Sequence, residues 1–231
     1  MSITITGDNA QIPSMVSEIY NPDQLVAGRY PIETAQDSML EGTAVLQRGA
    51  ILGQATLPTF SATAKAGNTG NGTVGSGSIS LAPGGAFGNY VLTATSATEF
   101  TVTAPNGDDL GVATVGTAFN NIVAFTITAG STAFVAGDAF TLSALQPSGY
   151  WKLSVSTASD GSQNPAGVLA SQSADPTGGP IGVAVYIAGE FNVNAINFDA
   201  SWTQAALVPK LRSANIYLRN SVSAAPPTSN A

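Results

Sequence analysis

The sequence contains short apolar runs, each ended after a few residues by Gly, Pro, Thr or Ser. This pattern favours β-structure over long helices. Several runs alternate apolar and polar residues, as Val123, Phe125 and Ile127 do with their neighbours, which is the period of a strand with one buried face. The 231 residues include 25 Gly and 13 Pro, which disfavour long helices. Because 44% of the residues are hydrophobic, a sizeable core is expected. The pattern predicts a mainly β protein.

The sequence contains neither cysteine nor histidine. Disulfides, thiolate nucleophiles and Cys-held metals are therefore excluded, and the commonest general base and metal ligand is missing. The fourteen acidic residues are spread singly, except for Asp108 and Asp109, and adjacent side chains on a strand face opposite ways. We therefore expect no catalytic residue, no metal and no cofactor, and an enzyme built on a carboxylate pair is the least favoured function.

Charge and hydropathy narrow the choice of partners. The formal net charge is −7, with only seven Lys and Arg, which disfavours binding to nucleic acid. The N-terminal sequence MSITITGDNA lacks the basic and continuous apolar regions of a signal peptide. No apolar run approaches the roughly 20 residues of a membrane helix. We expect a protein used in the cytoplasm or on a particle assembled there, with no membrane contact.

Residues 1–25 have the pattern of an arm. Ile3 and Ile5 alternate with Ser and Thr as in a strand, and proline at position 13 prevents a continuous helix. A segment with so little apolar mass either pairs with a sheet edge, its own or a partner's, or is a frayed terminus or an ordinary first strand.

The composition changes between residues 54 and 148, where Thr, Ala, Gly and Val dominate. Residues 67–77 read GNTGNGTVGSG and predict a flexible loop. Alternating runs follow, with a turn at 105–108 and a pair of extended runs from Phe134 to Leu142. This stretch predicts a β-sandwich-like domain.

The residues after 148 differ in composition from the stretch 54–148. Residues 181–187 predict one continuous strand. Residues 201–213 are the best helix candidate, with Ser201 as N-cap and a break near Pro209. Residues 223–231 predict a disordered tail.

Local motifs are interpreted structurally. Gly70, Gly72 and Gly75 match G-x-G-x-x-G, but the sequence that follows cannot open a helix, so a loop is expected. The Asp108-Asp109 pair lacks the spacing of a calcium loop and is expected in a polar turn. The lysines form no S-x-x-K motif and are expected on the surface. Aromatic residues at three positions would suit a sugar-stacking platform, but core or subunit interfaces are the more common use: Tyr150, Trp151 and Trp202.

Five segments carry a resemblance to a known family. They are RGAILG at 48–53, GYWKL at 149–153, ASDGSQNPAGVLA at 158–170, VAVYIAGEFN at 183–192 and IYLR at 216–219. In this order they resemble the phage head decoration proteins of the lambda capsid-stabilising type. The resemblance covers about half of the chain, and the stretch 54–148 departs from it as an inserted domain.

The resemblance implies a structural role. Family members sit as homotrimers on local threefold sites of the expanded icosahedral head, bind the major capsid protein and clamp the shell against internal DNA pressure. It also implies a small β-barrel or β-clip-like decoration domain with one or two short helices. Its implied location is the outer surface of the virion, after assembly in the host cytoplasm.

The sequence therefore predicts an arm (1–25), a discontinuous decoration domain (26–53 and 149–222), an outward-pointing insert (54–148) and a tail (223–231). For shell contact we expect the arm residues Ile3, Ile5, Ile12 and Pro13. For trimer contact the candidates are Tyr150, Trp151 and Phe191, which suit a core equally well. The alternative function is a carbohydrate-binding adhesion module on a virion or cell surface, and the insert could also bind a glycan alongside decoration.

Overall fold

The computed structural model describes residues 24–220, and within them the protein is mainly β, as predicted. These residues hold nineteen strands, one α-helix and two 3-10 helices. In chain order the elements are β1 (Glu33–Thr34), β2 (Met39–Leu40), β3 (Leu46–Gln47), β4 (Ile51–Gln54), β5 (Thr59–Ala64), β6 (Thr73–Val74), a 3-10 helix (Ser76–Ser78), β7 (Ser80–Leu81), β8 (Gly88–Ala94), β9 (Glu99–Thr103), β10 (Asp109–Thr114), β11 (Ala118–Asn120), β12 (Val123–Thr128), β13 (Ala139–Leu145), β14 (Trp151–Leu153), β15 (Pro165–Leu169), β16 (Ser173–Ala174), β17 (Ile181–Gly182), β18 (Val185–Asn192), a 3-10 helix (Val193–Ala195), α1 (Gln204–Ser213) and β19 (Ile216–Arg219).

An eight-stranded sheet forms the base of the molecule. Its order is β1-β18-β15-β4-β14-β2-β17, and β19 also pairs with β18. The two end strands do not pair with each other in the described part of the chain, so the barrel in the prediction is not closed. Two buried clusters line this base, one centred on Phe191 and Leu207 and the other on Leu52 and Trp151.

The strands between residues 59 and 145 form a sandwich of two sheets. A five-stranded sheet has the order β10-β9-β8-β13-β5, and a four-stranded sheet has β11-β12-β6 with β7 on β12. Along β8, Tyr90 and Leu92 are buried while Val91 and Thr93 are exposed. One cluster of buried residues draws on both sheets, so they share a core. The alternation predicted for the runs that form β9 and β12 is confirmed, since their apolar residues are buried: Phe100, Val102, Val123, Phe125 and Ile127.

The loop predicted over residues 67–77 is only partly correct, because β6 (Thr73–Val74) pairs with β12 and a 3-10 helix begins at Ser76. Close contacts hold the part before β6 in place. The Asp138 carboxylate accepts hydrogen bonds from the backbone N–H groups of Thr69 and Gly70, each at 2.8 Å. A Cβ built on Gly70 or Gly72 would lie 2.4 Å from an atom of the Phe134 ring. Only glycine permits this approach, which explains the glycine at these two positions. The expected extended run at Phe134 is wrong, since β13 begins at Ala139 and Phe134 instead buries its ring under the loop.

The strand predicted over 181–187 is divided into two. Residues Val183 and Ala184 leave the sheet ladder, because their N–H groups donate to the Ser38 carbonyl and to Ser171 Oγ. The chain thereby crosses from β17, which pairs with β2, to β18, which pairs with β15. Loop hydrogen bonds of this kind leave no trace in the apolar pattern.

The helix prediction is corrected in two respects. Thr203 is the N-cap, its Oγ1 accepting from the Ala206 N–H, whereas Ser201 Oγ accepts from the Ser156 N–H. The helix runs unbroken through Pro209. Leu207 and Leu211, which flank Pro209, are both 0% exposed. Burying two leucines contributes about 3–6 kcal/mol, which offsets the roughly 3 kcal/mol cost of an internal proline.

No helix within the described residues is long and apolar enough to cross a membrane.

Candidate functional site

The five segments that carry the family resemblance lie side by side in the base sheet. Strands β14, β4, β15, β18 and β19 are successive hydrogen-bonded neighbours, although they span residues 51 to 219. β14 pairs with β4 and β4 with β15 antiparallel, while β18 and β19 run parallel. The segments therefore contribute adjacent strands to one sheet.

The chain leaves this sheet after β4 and returns to it at β14. These two strands are antiparallel neighbours, with Gly53 opposite Lys152. Just beyond them the Ala55 N–H donates to the Tyr150 carbonyl, and the Gly149 N–H donates to the Ala55 carbonyl, each at 2.9 Å. The stretch expected as an insert thus occupies the position of a hairpin loop.

The predicted shell-contact residues lie outside the described part of the chain. Ile3, Ile5, Ile12 and Pro13 all precede Gln24, the first described residue. The same holds for most of the expected arm, 1–25, and for the expected tail, 223–231.

The structure places the three trimer-contact candidates differently. Phe191 is 0% exposed and Trp151 is 5% exposed, and each packs in a base cluster. Phe191 therefore has no surface with which to touch another copy and Trp151 has very little, so both positions fit the core role that the sequence also allowed. Trp202 is buried too, and its indole N–H donates to the Ser154 carbonyl. Only Tyr150 is partly exposed.

The described chain begins at a well-anchored point. The Asn192 N–H donates to the Leu25 carbonyl at 2.7 Å, and the Ala27 N–H donates to the Glu190 carbonyl at 3.0 Å. Because Arg219 lies opposite Asn192 in the β18–β19 ladder, both ends of the described chain meet at the same end of β18. Any segment before residue 24 therefore departs from a fixed position at the edge of the base.

The Glu190 side chain joins the start of the described chain to β19 through hydrogen bonds to both. One carboxylate oxygen accepts from the Arg219 Nε–H at 2.9 Å, and the other accepts from the Arg29 backbone N–H at 2.9 Å. The hydrogen bond from Arg219 is the largest influence on the pKa of Glu190, and together with the backbone donors it holds that pKa below its usual value despite partial burial. The rings of Tyr30 and Tyr217, whose centroids lie 5.1 Å apart, also join the start of the described chain to β19.

A second polar cluster surrounds Lys152 on β14. Its Nζ lies 2.9 Å from an oxygen of Asp160 and 3.5 Å from an oxygen of Glu41. The other oxygen of Asp160 accepts from the N–H and Oγ–H of Ser162, and Glu41 accepts from Ser148 Oγ. Cavities of about 280 and 220 Å³ lie on its two sides, and Glu41, Lys152 and Asp160 line both.

The charges in this cluster stabilise one another. Burial alone would lower the pKa of Lys152, but hydrogen bonding and the charges of Asp160 and Glu41 outweigh it and raise the pKa above its usual value. Burial would raise the pKa of Asp160, but Lys152 and Ser162 outweigh it and lower the pKa. An ammonium held in this way is a poor nucleophile, so the arrangement suits a structural ion pair better than chemistry.

Among residues 24–220, the other candidate sites do not bring together a group of side chains suited to catalysis or metal binding. No group of three or more acidic side chains there is placed to hold a metal ion. Asp108 lies in the predicted turn between β9 and β10 and accepts a hydrogen bond from Asn106 Nδ2. Lys65 and Lys210 are exposed, as expected, whereas Lys152 is only partly so.

The hydrogen-bonded clusters around Glu190 and Lys152 were not predicted from the sequence. The strand predicted over 181–187 stops short of Glu190, although an acid within the largely apolar run VYIAGEFN is a signal that it has a partner. The sequence predicts a surface lysine at position 152, although this residue lies between Trp151 and Leu153 in a strand. Its acidic partners come from segments remote in sequence or from a turn, so no local pattern links them.

Comparison with known proteins adds little. No protein-family model matches the chain, and no curated protein matches it. Among solved structures, FlgL of Xanthomonas campestris is similar in two crystal forms, in space groups C2 and H3. Each match has 23% identity and a TM-score of 0.31, and covers 42% of this chain and 31% or 32% of the FlgL chain. This chain thus spans about a third of the FlgL chains, and a likeness this weak carries no argument.

Proposed function

We propose that this protein is a capsid decoration protein with no enzymatic activity. It binds the outside of an expanded icosahedral phage head at local threefold sites and stabilises the shell against internal DNA pressure. One observation carries the proposal: the five segments that resemble decoration proteins form the adjacent strands β14, β4, β15, β18 and β19 of one sheet. The base sheet is accordingly the part that faces the shell.

The anchored start of the described chain supports a role for the arm. The 23 residues before Gln24 can reach at most about 75 Å from the edge of the base, far enough to contact neighbouring subunits. In the proposal, Ile3, Ile5, Ile12 and Pro13 contact the major capsid protein, with backbone hydrogen bonds supplying affinity by strand addition. Each contact is modest, but a clamp that bridges several subunits gains by multivalency.

The proposed assembly is a homotrimer on the virion surface. Of the candidate trimer contacts, Tyr150 keeps exposed surface, so it is the position at which we would look first. The net charge of −7 fits a protein outside the shell, because the packaged genome would repel it. The insert, which leaves the base at Ala55 and returns at Gly149, points away from the shell in this proposal.

Co-sedimentation with undecorated shells tests the proposal. Precursor and expanded shells of the encoding phage are mixed with the full chain, with a variant lacking residues 1–20, and with a variant lacking residues 223–231 as a matched terminal deletion. We expect saturable binding of the full chain to expanded shells alone. The first deletion should abolish binding and the second should leave it unchanged.

Other outcomes are equally informative. Binding that survives removal of residues 1–20 keeps decoration but moves the contact from the arm to the base sheet. No binding of the full chain to either shell contradicts decoration. The carbohydrate-binding alternative then becomes the first to test, by glycan-array binding of the full chain with the insert present and deleted.

A further inference from the structure

Two short connections, residues 55–58 and 146–150, join the base sheet to the insert. At the base end, hydrogen bonds between Ala55 and the 149–150 peptide groups hold them together. At the insert end, β5 pairs with β13, with Thr59 opposite Leu145, so residues 56–58 and 146–148 form the gap between the two ladders. What fixes the insert against the base must therefore lie close to this crossing.

Both connections are fastened to the Lys152 cluster. On the outgoing connection, the Leu57 N–H donates to the Asp160 carbonyl at 2.7 Å. On the return connection, Ser148 Oγ donates to the Glu41 carboxylate at 2.6 Å. Lys152 lies between the two acids, 2.9 Å from Asp160 and 3.5 Å from Glu41. One ammonium group thus joins the two residues that hold the two connections.

Apolar packing contributes little at this crossing. Leu57 is 46% exposed and Leu145 is 59% exposed, so the large apolar side chains of the connections face solvent rather than a shared core. The cavities of about 280 and 220 Å³ on either side of the cluster leave its flanks unfilled. Since close packing normally fixes how two units meet, polar bonds must do so here.

We propose that Lys152, Glu41, Asp160 and Ser148 form a latch that sets the orientation of the insert relative to the base sheet. With Lys152 in place, the outgoing and return connections are held at two points and the insert cannot swing. Without its charge, the two carboxylates lose their shared cation and both anchoring segments loosen, while the two cores stay folded. This inference goes beyond the decoration role and does not depend on it.

Nuclear magnetic resonance of the full chain tests the latch. The substitution Lys152→Met removes the charge but keeps the chain length, and Lys210→Met on the exposed face of α1 is the matched control. Residual dipolar couplings report whether insert and base share one alignment tensor. Hydrogen exchange of the Leu57 amide reports the latch locally, with the amides of β8 and β15 as core references.

We expect one alignment tensor in the wild type and in Lys210→Met, but two tensors in Lys152→Met. The Leu57 amide should exchange about tenfold faster in Lys152→Met, with the core references unchanged. A single tensor and unchanged exchange in Lys152→Met would overturn the proposal, as would two tensors in the wild type.

A second variant covers general destabilisation. If Lys152→Met accelerates exchange in both cores, Ser148→Ala is the second test, because it leaves Lys152 in place and removes the hydrogen bond from the return connection to Glu41, together with a longer bond from the Tyr150 N–H to the same Oγ. Two tensors in Ser148→Ala with protected cores support the latch, and one tensor overturns it.

Discussion

The glycines between residues 67 and 75 differ in what surrounds each of them. A Cβ on Gly72 would lie 2.4 Å from Phe134 Cζ and 2.5 Å from the Thr128 carbonyl oxygen, whereas a Cβ on Gly75 would meet nothing within 4 Å. We expect Gly72→Ala to destabilise the insert by about 1–3 kcal/mol through overpacking. Gly75→Ala should change stability by less than about 1 kcal/mol. Urea unfolding measures both free energies, and equal effects would contradict the packing argument.

The buried carboxylate of Asp138 should make the insert sensitive to acid. Burial tends to raise its pKa, but hydrogen bonds from the N–H groups of Gly70, Thr69 and Val135 outweigh it and lower the pKa. A lowered folded pKa contributes stability above the unfolded value of about 4, and that stability is lost as the pH falls through the folded pKa.

The melting temperature should therefore fall below about pH 4 in the wild type, and Asp138→Asn should be less stable at pH 7 but show a flatter profile. Thermal unfolding between pH 2.5 and 7 measures this. Parallel profiles for the two proteins would show that Asp138 is not the group responsible.

At the scale of elements, α1 is a helix in which tertiary packing outweighs the local preference of proline to end a helix. Pro209 removes the N–H that would donate to the Ala205 carbonyl, yet the helix continues because Leu207 and Leu211 are fully buried. We expect Pro209→Ala to stabilise the base by up to about 3 kcal/mol and Leu211→Ala to destabilise it by about 2–5 kcal/mol. Denaturant unfolding checks both, and a destabilising Pro209→Ala would mean that the fixed proline geometry itself is needed.

The elements that the sequence predicted well are those whose pattern is local. The alternation predicted along β9 and β12 survives into the sandwich, because one face of each strand is buried and the other is mostly half-buried. The break between β17 and β18 and the course of α1 were missed. Both depend on partners remote in sequence, namely Ser38 and the residues that bury the leucines.

The candidate sites follow the same division. The sequence identified the segments that became β14, β4, β15, β18 and β19, but not that Lys152 and Glu190 would join distant parts of the chain. Glu190 accepts a hydrogen bond from the Arg29 N–H, 161 residues away, and Lys152 contacts both the nearby Asp160 and Glu41 on a distant segment. A single sequence carries no pattern that pairs such positions.

At the scale of the whole molecule, the predicted domain division can be tested by excision. Because Ala55 and Tyr150 are hydrogen-bonded neighbours, replacing residues 56–149 with Asn-Gly should close β4 and β14 as a tight hairpin. We expect this shortened chain to unfold cooperatively and keep a β-rich circular dichroism spectrum. The excised insert, with its own buried cluster, should also fold. An unfolded shortened chain would contradict a base that is independent of the insert.

The decoration role is tested most directly by electron cryomicroscopy of expanded shells saturated with the full chain. The account predicts density at the local threefold sites, with the base sheet against the shell, residues 1–23 reaching onto capsid subunits and the insert outermost. An absence of density at those sites, or a map in which residues 90–142 lie buried against the shell, would contradict it.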